Sequence, residues 1–201
     1  MAIPLGEQHT PGHPVVKRTA LGQLFVGAVV NVDRRNRTRR GDDGVIRDIM
    51  KADGKPRQEL VITCLSMPGT TAPAGIGDEQ GIPESGDLVR LILKGKSFAD
   101  WIQAERALGR QLQVGDCVKQ RTSSAQVYDA NGDPKGPPIT TQEEVDAVPR
   151  SNSVGIYGEL KLEPGSGEWV DKAEAAYRAA SAIPLAGSTA SQQQVEEEEP
   201  W

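Results

Sequence analysis

Aromatic side chains are scarce in this sequence. Three Trp, three Tyr and two Phe make up 4% of its 201 residues. That excludes a core dominated by rings, and a binding surface in which every contact is a stacked ring. Cysteine is nearly absent. Cys64 and Cys117 stand alone, with no CxxC pair, so neither a disulfide framework nor a thiolate metal site is expected and a reducing interior fits best. The two histidines, His9 and His13, flank Pro11 and Gly12 without further ligands. A metal site, a Ser–His–Asp triad and a Cys–His pair therefore all lack their parts. Long apolar runs are missing too. The longest, around residues 24–30, falls far short of the roughly 20 residues of a membrane helix. No basic segment followed by an apolar run marks a secretion signal. The expectation is a soluble cytoplasmic protein with no cofactor and no membrane partner, and an enzyme is the least favoured class.

What is present is charge, unevenly placed. The formal net charge is −5. Residues 184–201 hold four Glu and no Lys or Arg, so the rest of the chain is close to neutral. Residues 1–60 carry eleven basic side chains against seven acidic ones. A basic front half and an acidic end provide the asymmetry that local binding of a polyanion needs, although a near-neutral body argues against very tight nonspecific binding.

Along the chain, residues 1–19 are rich in Pro, Gly and His and read as a flexible arm. Residues 21–32 alternate as a strand, with Leu24, Val26, Ala28, Val30 and Val32 on one side. A polar loop of residues 33–43 follows. Further strands are expected at 59–67 and 87–94, with a Gly/Pro-rich loop between them at 68–85. The period then changes. Ser97 is placed to cap a helix whose stripe is Phe98, Trp101, Ile102, Ala104 and Leu108, and Gly109 ends it. Residues 114–128 and 154–162 are the fourth and fifth strands, separated by an Asn131-Gly132 turn and a polar connection over 133–150. A second helix at 168–182 presents Trp169, Ala173, Ala176, Tyr177 and Ala180 and is expected to pack back on the strands. Three strands, a helix, then two strands is the order of a five-stranded OB-type β-barrel. The resulting division is an arm (1–19), an OB-fold domain with a C-terminal helix (20–182), and a disordered linker with an acidic tip (183–201).

The chain ends Val195-Glu-Glu-Glu-Glu-Pro-Trp201. In this it resembles bacterial and phage single-stranded DNA-binding proteins, which join an OB domain through a low-complexity linker to an acidic tip ending in Pro and an aromatic residue. The family's tip is usually Asp-rich and ends in Pro-Phe, whereas this one has Glu and Trp. The resemblance implies that Glu196, Glu197, Glu198, Glu199, Pro200 and Trp201 dock replication and recombination proteins, and that the chain can self-associate. A terminal aromatic fills a small pocket while the Glu run steers it to a basic surface. An acidic run alone also serves solubility, but a solubility tail has no need of a terminal Trp.

In such a barrel the loop after the first strand borders the nucleic-acid groove. Here it carries Arg34, Arg35, Arg37, Arg39 and Arg40, whose guanidinium groups neutralise phosphates and stack on bases. Asp33, Asp42 and Asp43 partly offset them. Arg57, Arg90, Lys94, Lys96, Lys119, Arg121 and Lys161 fall on or beside strands. Arg90 and Lys94 share the face opposite Val89, Leu91 and Leu93 and so cannot face the core. Tyr157, opposite Ile156 and Leu160, is the first stacking candidate and Tyr128 the second; Phe25 is a further one. Trp101 and Trp169 sit on helix stripes and read as core. Asp129, Asn131 and Asp133 start like a calcium loop, but Pro134 and Thr140 occupy the positions that need Gly and Glu. The expected function is coating and protecting single-stranded DNA and recruiting partners through the tip. The competing class is a structural or adaptor β-barrel, such as a virion component, which the low aromatic count and near-neutral body favour.

Overall fold

A computed structural model of the chain describes residues 12–129 and 133–181. In these residues the order is β1 (Val15–Val16), β2 (Leu24–Asn36), β3 (Thr38–Arg40), β4 (Ile46–Asp48), β5 (Gln58–Ser66), β6 (Ala74–Ile76), β7 (Glu79–Gly81), β8 (Leu88–Lys94), α1 (Lys96–Leu108), β9 (Cys117–Tyr128), α2 (Gln142–Asp146), β10 (Ser153–Glu163) and α3 (Glu168–Ser181). One curled eight-stranded sheet runs β10-β9-β2-β5-β8-β1-β6-β7, and β3 pairs with β4 in a separate two-stranded ribbon. The five long strands and the two long helices fall where periodicity predicts them. β8 and β10 are not hydrogen-bonded to each other, and α1 packs against both.

Both faces of β2 are buried. Every residue from Phe25 to Asn31 is inaccessible, which explains why this segment is apolar at both parities rather than at alternate positions. On the concave side Phe25 and Val29 join Leu60, Ile62, Leu91, Leu93, Trp101 and Val118 in the main core. On the convex side Ala28 and Val30 meet Leu65, Val114 and Ala173, with Trp169 and Tyr177 of α3 packed alongside. Ordinary alternation puts Val30 on the same side as Ala28; the register irregularity between Val29 and Asn31 makes Val30 the extra residue, so Asn31 also faces the convex side and Val32 turns to the main core. Phe25 is only 1% exposed, so it is a core residue and not the stacking residue expected from alternation. Gly27 makes its position possible: a Cβ there would lie 2.7 Å from Phe25 Cζ and 2.8 Å from Cys64 Cβ.

Two other expectations change. Residues 12–19 are not part of a loose arm: Val15 and Val16 pair with β6 and Val15 with β8, and Val16 reaches the core. Helix α1 begins at Gly95 without a side-chain cap, and Ser97 is buried, its Oγ accepting a hydrogen bond from Arg18 Nη1 at 2.8 Å. The polar connection over 133–150 carries local structure of its own. Its first part pairs back on β9 through Ala125 and Ile139, and α2 is capped by Thr141. Gly109, at φ 71°, ends α1 as predicted. The Asn131-Gly132 turn and residues 182–201, with the Glu196–Trp201 tip, lie outside the described residues.

The turn into β9 is tied to α3 by one carboxylate. Asp116 is 2% exposed. It takes two bonds from Arg110, at 2.6 and 2.8 Å, one from Gln113 N–H and one from Gly165 N–H. Burial pushes its carboxyl up, but these four donors outweigh burial and hold it below the usual aspartate range. Its pairing therefore stabilises the fold fully above the unfolded-state pKa, and this contribution is lost as pH falls through the lower folded-state value. Arg110→Met leaves the buried charge unpaired and is expected to cost about 3 kcal/mol at neutral pH. The deficit shrinks as pH falls, because without the Arg110 charge the buried carboxylate of the variant protonates more readily than that of the parent chain. Urea unfolding at pH 7 and pH 3.5 measures both numbers.

Candidate nucleic-acid interface

Strand register arranges the convex face of β2, β5 and β8 in rows. Arg35, Glu59 and Lys94 lie side by side, then Asp33, Val61 and Ile92, then Asn31, Thr63 and Arg90. Arg35, Arg90 and Lys94 thus share one face, away from Val89, Leu91 and Leu93, as predicted for the last two. Each is also engaged within the fold. The buried Glu59 carboxylate binds Arg35 at 2.8 Å and Lys94 at 3.2 Å. Arg90 Nε donates to the His13 carbonyl at 3.0 Å. Arg34 turns to the other side of the sheet, where its guanidinium lies 5.5 Å from the Phe98 ring centre.

The expected Arg loop is a strand end followed by a ribbon. β2 runs on through Arg34 and Arg35 to Asn36, and after Arg37 the chain forms β3, turns back at Gly41–Gly44, and returns as β4. Backbone bonds between Arg37 and Arg57 and between Ile49 and Arg57 fasten the base of the ribbon. Residues 36–57 carry seven basic side chains against four acidic ones. Arg39 and Arg47 are direct cross-strand neighbours, an arrangement of like charges that is unfavourable unless an anion meets them. Arg47 is held by Asp43. The guanidinium of Arg39 has no hydrogen bond or ion pair among the described residues. Val45, Ile46 and Met50 are exposed by 49, 67 and 51% beside these cations.

The second group lies on β9 and β10. Lys119 is opposite Lys161, Arg121 opposite Glu159, and Tyr157 opposite Ser124, with a bulge between Tyr157 and Gly158. The two tyrosines named separately as stacking candidates lie together: the hydroxyls of Tyr128 and Tyr157 are hydrogen-bonded to each other. Lys96 Nζ sits 6.0 Å from the Tyr157 ring centre, within cation–π range. Lys119 is ion-paired to Glu163; Arg121 and Lys161 are unpaired among the described residues.

Sequence reasoning passed over Arg18. It closes the open edge of β8 beyond the short β1, donating to the Ile92 carbonyl at 3.3 Å as well as to Ser97. Burial pulls its guanidinium below the ordinary arginine range and nearby Tyr157 opposes that. The only sequence signal was a lone Arg just before an apolar strand, which many surface residues share. Burial pushes both cysteine thiols up, Cys64 strongly, so neither is a ready nucleophile. Among the described residues, no group of three or more His, Cys, Asp or Glu side chains could hold a metal ion, and no helix is long and apolar enough to cross a membrane. No protein-family model, curated protein or solved structure matches the chain.

Desolvation, followed by the Tyr128 bond, pushes the Tyr157 phenol up to about 12. In an absorbance titration of phenolate, one tyrosine is expected to ionise near that value. In Tyr128→Phe the high transition moves down toward the ordinary tyrosine value near 10.

Proposed function

We propose that this protein binds single-stranded DNA, coating it during replication or recombination and recruiting partners through its Glu196–Trp201 tip. One observation carries the reading: an Arg-rich β-ribbon, with two arginines directly opposed and one of them unpaired, extends from the strand row that holds Arg35 and Lys94. Like charges held face to face on a two-stranded ribbon are costly alone and favourable against a phosphate chain. Exposed Val45, Ile46 and Met50 beside them offer apolar contact to unstacked bases, which a duplex keeps hidden. The pair Tyr128 and Tyr157 supplies a ring platform with Lys96 and Arg18 close by.

The strand order supports an OB-type barrel as the finer description. β2, β5, β8, β9 and β10 pair as β10-β9-β2-β5-β8, and the helix α1 falls between the third and fourth of them. In that reading the ribbon is the loop after the first barrel strand and residues 129–152 the loop between the last two, which flank the binding groove. The single-stranded DNA-binding family is the one this architecture and the Pro-Trp tip resemble.

A protein-contact adaptor is the second reading. The carboxylates that hold Arg35, Lys94 and Lys119, and the apolar ribbon tip, favour it. Charge reversal separates the two. Arg39→Glu with Arg40→Glu is expected to weaken oligo-dT binding roughly tenfold at low salt and to lower the slope of log K against log salt by about 2. Unchanged binding in this folded double variant would take the ribbon out of the interface, and absence of oligo-dT binding by the parent chain at low salt would move the function to protein contacts.

A further inference from the structure

Helix α1 and the last two strands of the chain leave an open groove of about 420 Å³ between them. That volume falls within the range of about 300–1,000 Å³ typical of small-molecule sites. One wall is helical: Lys96, Asp100, Gln103, Ala104 and Ala107 line it. Steps of three and four residues link them, so they share one helix face. The facing wall runs from Gly158 to Lys161 on β10, with Ser123 and Ser124 of β9 beside it. The groove adjoins the tyrosine pair. Lys96 lies 6.0 Å from the Tyr157 ring centre, and Gly158 follows Tyr157 in the chain.

Charge decides what can enter. Lys96 and Lys161 are balanced by Asp100 and Glu159, and Lys96 already lies 3.9 Å from Asp100. A groove without net charge has little pull on a phosphate, unlike the ribbon. It suits a neutral group that brings hydrogen bonds of its own. Ala104, Ala107 and Leu160 offer apolar contact to a flat ring. The side chains of Gln103, Ser123, Ser124 and Glu159 make no hydrogen bond or ion pair among the described residues, so they are open to such a ligand.

The polar pair on the helix selects among flat rings. Asp100 and Gln103 are three residues apart and therefore neighbours on the helix surface. A carboxylate accepts two parallel N–H bonds, and the amide next to it can donate a third. Guanine alone among the four bases presents the complement, with N1–H and the 2-amino group side by side and the O6 acceptor next to them. Adenine and cytosine set one amino donor beside a ring acceptor. Thymine has a single N–H between two carbonyls. We propose that the groove between α1 and β10 takes one unstacked guanine of a bound strand, read at its Watson–Crick edge by Asp100 and Gln103. The inference rests on the single-strand reading and adds a base preference to it.

Anisotropy titrations of the full chain at low salt test it, using oligo-dT and the same oligonucleotide with one central dG, dA, dC or deoxyinosine. A central dG is expected to tighten binding about tenfold over oligo-dT, while dA and dC leave it close to oligo-dT. Deoxyinosine keeps O6 and N1–H but lacks the 2-amino group, and is expected to lose most of the gain. Asp100→Asn keeps the side-chain size and replaces one acceptor with a donor; dG and dT are then expected to bind equally. Equal affinity of the parent chain for every central base overturns the proposal and leaves the single-strand reading standing, even if free dGMP binds. A dG gain that survives Asp100→Asn, or that deoxyinosine matches, overturns it as well. Absence of binding to all the oligonucleotides overturns both.

Discussion

The rest of the structure depends on the burial of β2 on both faces. A strand covered on one side can end a sheet; one covered on both must lie inside it, between two hydrogen-bonding neighbours and under two layers of side chains. β2 takes β5 and β9 as its neighbours, the main core on its concave side and α3 on its convex side. The Asp116 carboxylate joins the turn before β9 to Gly165 in the loop that leads into α3. With the body of the strand fixed this firmly, its distal end runs on past the core as Arg34, Arg35 and Asn36 and launches the ribbon. The polar stretch read from the sequence as a loop is thus anchored to a strand buried on both faces.

This placement decides which cations are available. On the sheet, carboxylates hold Arg35, Lys94 and Lys119, so their contribution to a polyanion's binding includes the cost of loosening an existing pair. On the ribbon Arg39 has no such partner, whereas Arg47 opposite it is held by Asp43. The near-neutral body noted from composition is therefore compatible with local attraction, because neutralisation happens mainly in the sheet and the excess sits on the ribbon. Such attraction is screened within about 10 Å at 0.1 M salt, so binding that rests on it weakens steeply as salt rises.

Much of this was legible in the sequence. The long strands and both long helices follow from periods of 2 and 3.6, the end of α1 from Gly109, and the docking of α3 from its Trp169–Ala173–Tyr177 stripe. The grouping of Tyr128 with Tyr157 was not stated in advance, although both were named. Three things resisted. Phe25 was misread because a strand buried on both faces carries no alternation to show which side is the core. Residues 33–43 read as a loop because a solvated two-stranded ribbon needs no apolar period. Arg18 and Ser97 were missed as partners because their contact spans 79 positions, and local pattern holds no record of a contact that distant.

The central claim is that the ribbon and the adjoining strand face bind single-stranded DNA. The most direct measurement is a fluorescence-anisotropy titration of the protein against labelled oligo-dT and a duplex of the same length, at low and near-physiological salt. The account predicts saturable binding to oligo-dT, weaker binding to the duplex, and a marked loss of affinity as salt rises. Absence of binding to oligo-dT at low salt, or equal affinity for both, would contradict it.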